Sequence, residues 1–280
     1  MTTLAPVDYL LHLADNALIL GQRNAEWCGH GPILEEDLAM ANNSLDLIGQ
    51  ARLLYQLAAE RINADPAQTQ RFAHLRGARR SGQVTEDTLA YFREGHEFSN
   101  HTLVELPHHG PLASTAASDR DYATSIARNF FYSAFMALVW QQLSASPDSA
   151  IAAIASKSLK ETRYHLQHAS DWLVRMGDGT TESHARAQAA VDHLIHYTSA
   201  FWQANAAQAQ ALANRSGVDP AALQSDWDAI VDETLREATL QRAPTHTYVP
   251  QGHNREHSEH LGFVLAEMQS LARAHPEAVW

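Results

Sequence analysis

The chain has a single cysteine, Cys28, among 280 residues. That excludes an intrachain disulfide and a cysteine-based zinc cluster, and it suits a reducing compartment. Long apolar runs are missing too. The longest, residues 134–140 (AFMALVW), has seven residues, whereas crossing a bilayer takes about 20. A soluble protein without a membrane partner is therefore expected. Basic charge is scarce, with 20 Lys and Arg against 32 Asp and Glu and a net charge of -12. Phosphate contacts need a basic face, so a nucleic-acid partner is not expected. The opening residues, MTTLAPVDYLLHLADN, lack a basic leader and place Asp8 and Asp15 where a signal peptide would be apolar. A cytoplasmic location is the expectation. No G-x-S-x-G, P-loop or Rossmann fingerprint occurs.

Period-2 runs of β-branched residues are also absent, while apolar positions recur three and four residues apart nearly everywhere, so the chain reads as all-α. Helices are expected over about 6–27, 33–63, 85–105, 119–144, 149–176, 184–214, 218–240 and 256–274. In the second, Leu34, Leu38, Ala41, Leu45, Ile48, Tyr55, Ala59 and Ile62 read as one inward face. The middle of the fourth, FFYSAFMALVW, is apolar all round and must be central. Long helices with short polar loops and no Pro/Gly-rich linker predict one domain over 1–280, a helical bundle with additional helices. Residues 66–82 read as a loop insertion. Its Arg71, Arg76, Arg79 and Arg80 could meet a phosphorylated ligand such as coenzyme A, but such a run is ordinarily a solvated loop.

Bundles of this kind can hold a carboxylate-bridged dimetal centre, which takes a Glu on each of two helices and a Glu-x-x-His pair on each of two others. Only one Glu-x-x-His occurs, Glu105 to His108, and Pro107 puts it off a helix end. KETRYHL (160–166) offers Glu161 and His165, but Thr162 stands three before His165. SLDLIGQARLLY (44–55) offers Asp46, but Gly49 stands three after it. His165 and Asp46 thus read as a buried hydrogen-bonding pair or network at a degenerate site rather than as ligands. Three other groupings are weighed in the same way. His253, Glu256, His257 and His260 have zinc-compatible spacing but also suit a loop feeding a helix. Glu94, Glu97 and His101 suit a solvated face. Cys28 near His30 lacks a third group to orient the imidazole.

EWCGHGPILEEDLA (26–39), the two runs just quoted, EFSN (97–100) and EHLGFVLAEMQ (259–269) resemble, in matching order, the PaaC subunits of bacterial phenylacetyl-CoA epoxidases. The resemblance implies a ferritin-like fold related to the diiron catalytic PaaA subunit but without that subunit's ligands. It implies a non-catalytic structural role in a multicomponent monooxygenase that epoxidises phenylacetyl-CoA during aerobic phenylacetate degradation. The implied partners are a PaaA-type subunit, a small PaaB-type subunit and a reductase carrying flavin and an iron–sulfur cluster, with a second copy of the chain also considered. It further implies that Phe98, Ser99 and Asn100 contribute to the coenzyme A thioester site; nothing is carried onto Glu97. The rival reading is an independent dimetal-carboxylate oxidase using Asp46, Glu94, Glu97, Glu161 and His165. Trp202 and Trp227 are candidate anchors for a partner, because Trp is favoured at interface hot spots.

Overall fold

The computed structural model describes residues 4–75, 82–110, 120–244 and 247–278. Helices α1 (Val7–Ala25) and α2 (Leu34–Ala64) form one antiparallel pair, and α5 (Tyr122–Leu143) and α6 (Ser149–Gly177) form a second. The short α3 (Pro66–Arg71) and α4 (Glu86–Tyr91), followed by α7 (Thr181–Leu194), α8 (Ala206–Ala213), α9 (Gln224–Glu237) and α10 (Glu259–Ala274), pack around these four. No strand occurs among the described residues. The fold is all-α and ferritin-like, and one apolar core runs from Ala5 to Leu265.

Helix α5 is buried on nearly every side, as its all-round apolar sequence requires. Helix α1 is equally enclosed, which its sequence does not announce, because it carries His12, Asp15, Asn16, Arg23 and Asn24 into the interior. Gly21 lets α1 and α2 approach closely. A Cβ there would lie 3.1 Å from Ile48 Cγ1 and 3.3 Å from both Leu47 Cβ and Ser44 O. Asp148 caps α6 by accepting from Ala150 N at 3.3 Å, and it also accepts from Ala5 N (2.8 Å) and Arg61 Nη2 (2.6 Å). One buried carboxylate thus ties the start of the chain and the end of α2 to the second helix pair.

Several boundaries differ from the sequence reading. The helix expected over 85–105 stops at Tyr91, and 3-10 turns at Gly95–Glu97 and Thr102–Glu105 replace the rest. The Arg93 side chain is the reason. Its Nε donates to Leu89 O at 2.6 Å, the carbonyl that helix continuation would have used, and its Nη1 donates to Glu97 O at 3.0 Å. The helix expected over 184–214 divides into α7, a 3-10 stretch Ile195–Trp202 and α8, which restarts in a capping box of Asn205 with Gln208. The segment after Val218 opens as a 3-10 turn, Ala221–Leu223, and α9 ends at Glu237. The last helix begins at Glu259 because Arg255 takes a left-handed conformation, φ 72°. Asp121, not Asp119, caps α5, and Asp119 lies outside the described residues. Within the expected insertion, Asp65 caps a real helix, α3, and Arg71 pairs with Asp8 at 2.6 Å. Arg76, Arg79 and Arg80 lie outside the described residues.

The largest difference concerns α2. Leu34, Leu38 and Leu45 are 71%, 55% and 67% exposed, whereas Tyr55, Ala59 and Ile62 are buried. A line of residues spaced near 3.5 drifts about 20° per heptad on a real helix, so from 34 to 62 it turns through roughly 80°. The two ends of the apparent stripe therefore point to different places.

Candidate functional site at the seam between α2 and α6

Helices α2 and α6 meet at a seam that three polar pairs cross. Glu36 Oε2 meets His168 Nε2 at 2.9 Å, Asp46 Oδ2 meets His165 Nε2 at 3.1 Å, and Gln50 Nε2 donates to Glu161 Oε2 at 3.1 Å. His165 is 3% exposed but Asp46 39%, so the pair expected to be buried sits instead at the rim of the seam, with only its imidazole sealed. Thr162 is buried one turn from His165, and Gly49 lies one turn from Asp46 with nothing within 4 Å of where a Cβ would be. Two bridged metal ions need several carboxylates and one imidazole apiece. Here Glu161 is occupied by Gln50 and by Lys157, 2.5 Å away. Glu36 lies ten residues from Asp46, about 15 Å along the helix. Among the described residues no group of three or more His, Cys, Asp or Glu could hold a metal ion. The side chains at the seam do not fit a diiron centre.

A second polar centre lies behind α1. Asp15 and Arg93, both fully buried, form an ion pair in which Nη1 donates at 3.2 Å and Nη2 also donates to the carboxylate. Tyr55 Oη (2.5 Å) and Ser99 N (2.8 Å) donate to the same carboxylate. The guanidinium also stacks 4.2 Å from the centre of the Phe98 ring. Phe98, Ser99 and Asn100 are buried. Ser99 Oγ donates to His253 O at 2.9 Å, and Asn100 Nδ2 donates to Glu105 Oε1 at 3.0 Å. Of these three residues, only Asn100 has a side-chain atom, Oδ1, with no partner within the chain. The buried imidazoles of His12 and His253 lie 5.3 and 5.5 Å from that of His101, centre to centre. Burial lowers all three below the ordinary histidine range. Repulsion from neighbouring imidazoles adds to it at His101 and His253, and His253 falls to about 4.

Comparison with known proteins decides the family. The sequence matches the family described as phenylacetic acid catabolic protein over residues 2–280. It is 38% identical over 272 residues to the C subunit of 1,2-phenylacetyl-CoA epoxidase from Escherichia coli strain K12, an alignment covering 97% of this chain and 98% of that one. This chain belongs to the phenylacetic acid catabolic protein family. The family match supports the resemblance read from the five motifs, and the helical architecture agrees with it.

The remaining candidate groups of this family member do not converge. Glu94 pairs with Arg273 at 3.0 Å and Glu97 with His74 at 2.7 Å, while His101 is buried beside Phe135 and Phe201. The residues of the rival oxidase reading are therefore split, with Asp46, Glu161 and His165 at the seam and Glu94 and Glu97 elsewhere. His253 turns inward, whereas His257 Nδ1 meets Glu105 Oε1 at 2.5 Å. Burial opposes protonation of His257, yet the Glu105 carboxylate holds it above the ordinary range. Glu105 also accepts from Ser258 N (2.9 Å) and Ser258 Oγ (2.7 Å), which anchors the start of α10. His108 bonds instead to Ser125 Oγ and Arg23 O, both at 2.6 Å, so the one Glu-x-x-His match serves two separate structural jobs. Cys28 is exposed. Trp227 is fully buried, its Nε1 donating to Phe131 O at 3.1 Å, and Trp202 packs against it, so neither is an exposed anchor. Sequence reasoning missed the Asp15–Arg93 and Glu105–His257 centres. Two acids on apolar ground, Asp15 within α1 and Glu105 between Val104 and Leu106, were the available signal.

Proposed function

We propose that this chain is the non-catalytic subunit of a phenylacetyl-CoA epoxidase, pairing with a homologous diiron subunit and acting in aerobic phenylacetate degradation in the cytoplasm. One observation carries the reading. At the seam Asp46 and His165 bond to each other, and Gly49 and Thr162 stand where a Glu-x-x-His spacing would call for an imidazole and a carboxylate. The chain binds no metal of its own in this reading. The iron belongs to the partner, and the flavin and iron–sulfur cluster to the reductase, with a small third subunit making up the rest of the assembly. The similarity to one subunit of the Escherichia coli epoxidase supports membership of such an assembly.

Phe98, Ser99 and Asn100 contribute to the coenzyme A thioester site as its supporting floor. They are buried and held by Asp15, His253 and Glu105, so their part is to shape the surface above them rather than to line it. Binding of phenylacetyl-CoA to a complex carrying Asn100→Ala checks that part. The main test is metal analysis of the chain purified alone and with its diiron-type partner. Iron is expected only in the paired preparation, and two equivalents per chain in the isolated protein overturn the proposal.

A further inference from the structure

The outward part of α2 is built like a helix seam with no partner among the described residues. Leu38, Leu45 and Arg52 are exposed at spacings of seven, and Asn42 and Gly49 fall between them, so the line repeats every four and three residues as a coiled-coil seam does. Leu34 extends it by one turn. Exposed apolar residues scattered singly need no explanation, but several on one stripe of one helix mark an interaction site.

Gly49 is the second observation. A glycine inside a helix is unfavourable, and Gly21 shows what excuses it, since there the facing helix leaves no room for a Cβ. At Gly49 a Cβ would meet no described atom within 4 Å beyond its own turn of helix. Close approach of another backbone supplies the missing reason.

Charge selects the occupant. Along residues 34–52 the surface carries the exposed Glu35 and the half-buried Asp37 and Asp46 against one base, Arg52, with Glu36 buried against His168. A second copy would set these acids against their own equivalents, and the whole chain carries -12. Like charges across an interface suppress a wrong partner. We infer that the α2 stripe of Leu34, Leu38, Leu45 and Gly49 is the docking seam for a helix of a different subunit, whose apolar positions are bordered by Arg or Lys. The seam rests on the pairing proposed above and gives it a location.

The test uses the full chain co-expressed with the homologous diiron-type subunit, with affinity measured after separation. Leu38→Glu combined with Leu45→Glu is expected to weaken pairing on the order of a hundredfold, as loss of buried anchors does, while leaving the melting temperature of the isolated chain unchanged. Gly49→Gln needs no internal rearrangement, so it keeps or raises that melting temperature while also weakening pairing at least tenfold. Should the double variant not fold, Gly49→Gln alone decides. Undiminished pairing of the variants overturns the seam and leaves the pairing intact. Failure of the unaltered chain to pair overturns both. A homodimer of the unaltered chain that the substitutions dissolve overturns the choice of a basic partner in favour of a second copy.

Discussion

Asp15 and Asp46 are two acids, each bonded to a base from a distant segment, and they are opposite in kind. Asp15 is sealed, with Arg93, Tyr55 and Ser99 N occupying its carboxylate. Asp46 sits at a rim and has one imidazole for company. The contrast teaches where this chain keeps its obligatory electrostatics. They hold the 92–106 segment against α1, while the seam between α2 and α6 is left with a simple pair beside Gly49.

Removing each acid sharpens that contrast most. Asp15→Ala leaves the Arg93 guanidinium buried without a counter-charge, and loss of about 3–5 kcal/mol is expected. Asp46→Ala is expected to cost less than about 1 kcal/mol, as exposed pairs do. Urea unfolding of both variants measures the difference, and equal losses would contradict the contrast. The two helix glycines come next. Gly21→Ala must crowd Ile48 and Leu47, at a cost of about 1–3 kcal/mol, whereas Gly49→Ala meets nothing and should gain up to about 1 kcal/mol. The same unfolding experiment reads both signs.

The smallest effect is a pH slope set by the region behind α1. His12, His101 and His253 are lowered from 6.5 by burial, the last two also by neighbouring imidazoles, so below that pH the unfolded chain binds more protons than the folded one. Their stabilisation is complete above about pH 6.5, and it is lost as pH falls toward about 4, the value reached by His253. His101→Phe should flatten the unfolding midpoint between those limits, and an unchanged slope would remove the histidines as its cause. His257 works in the opposite sense, because an imidazole raised by a neighbouring carboxylate contributes below pH 6.5 and fades above.

Much of the architecture was legible because it is local. The apolar spacing of α1, α2, α5 and α6 gave their existence and nearly their ends, and the all-round apolar middle of α5 gave its central place. Asp46 and His165 were read as bonded partners from the residue types at helical spacing around them, and they meet across the seam. Arg93 was not legible in this way. Nothing in the spacing of REGHEFSN says that a guanidinium will take the carbonyl of Leu89 and end a helix, because its partner Asp15 lies 78 residues away. The outward turn of Leu38 and Leu45 was hidden by a small angular drift that grows only over the length of α2.

The sequence by itself therefore determined the helices and the family, since each depends on residue types at short spacing. Only the tertiary structure decided which acids are sealed, which leucines face water and which glycine has a neighbour. Those depend on what distant segments bring to the same place, and a helix's own periodicity holds no record of its surroundings.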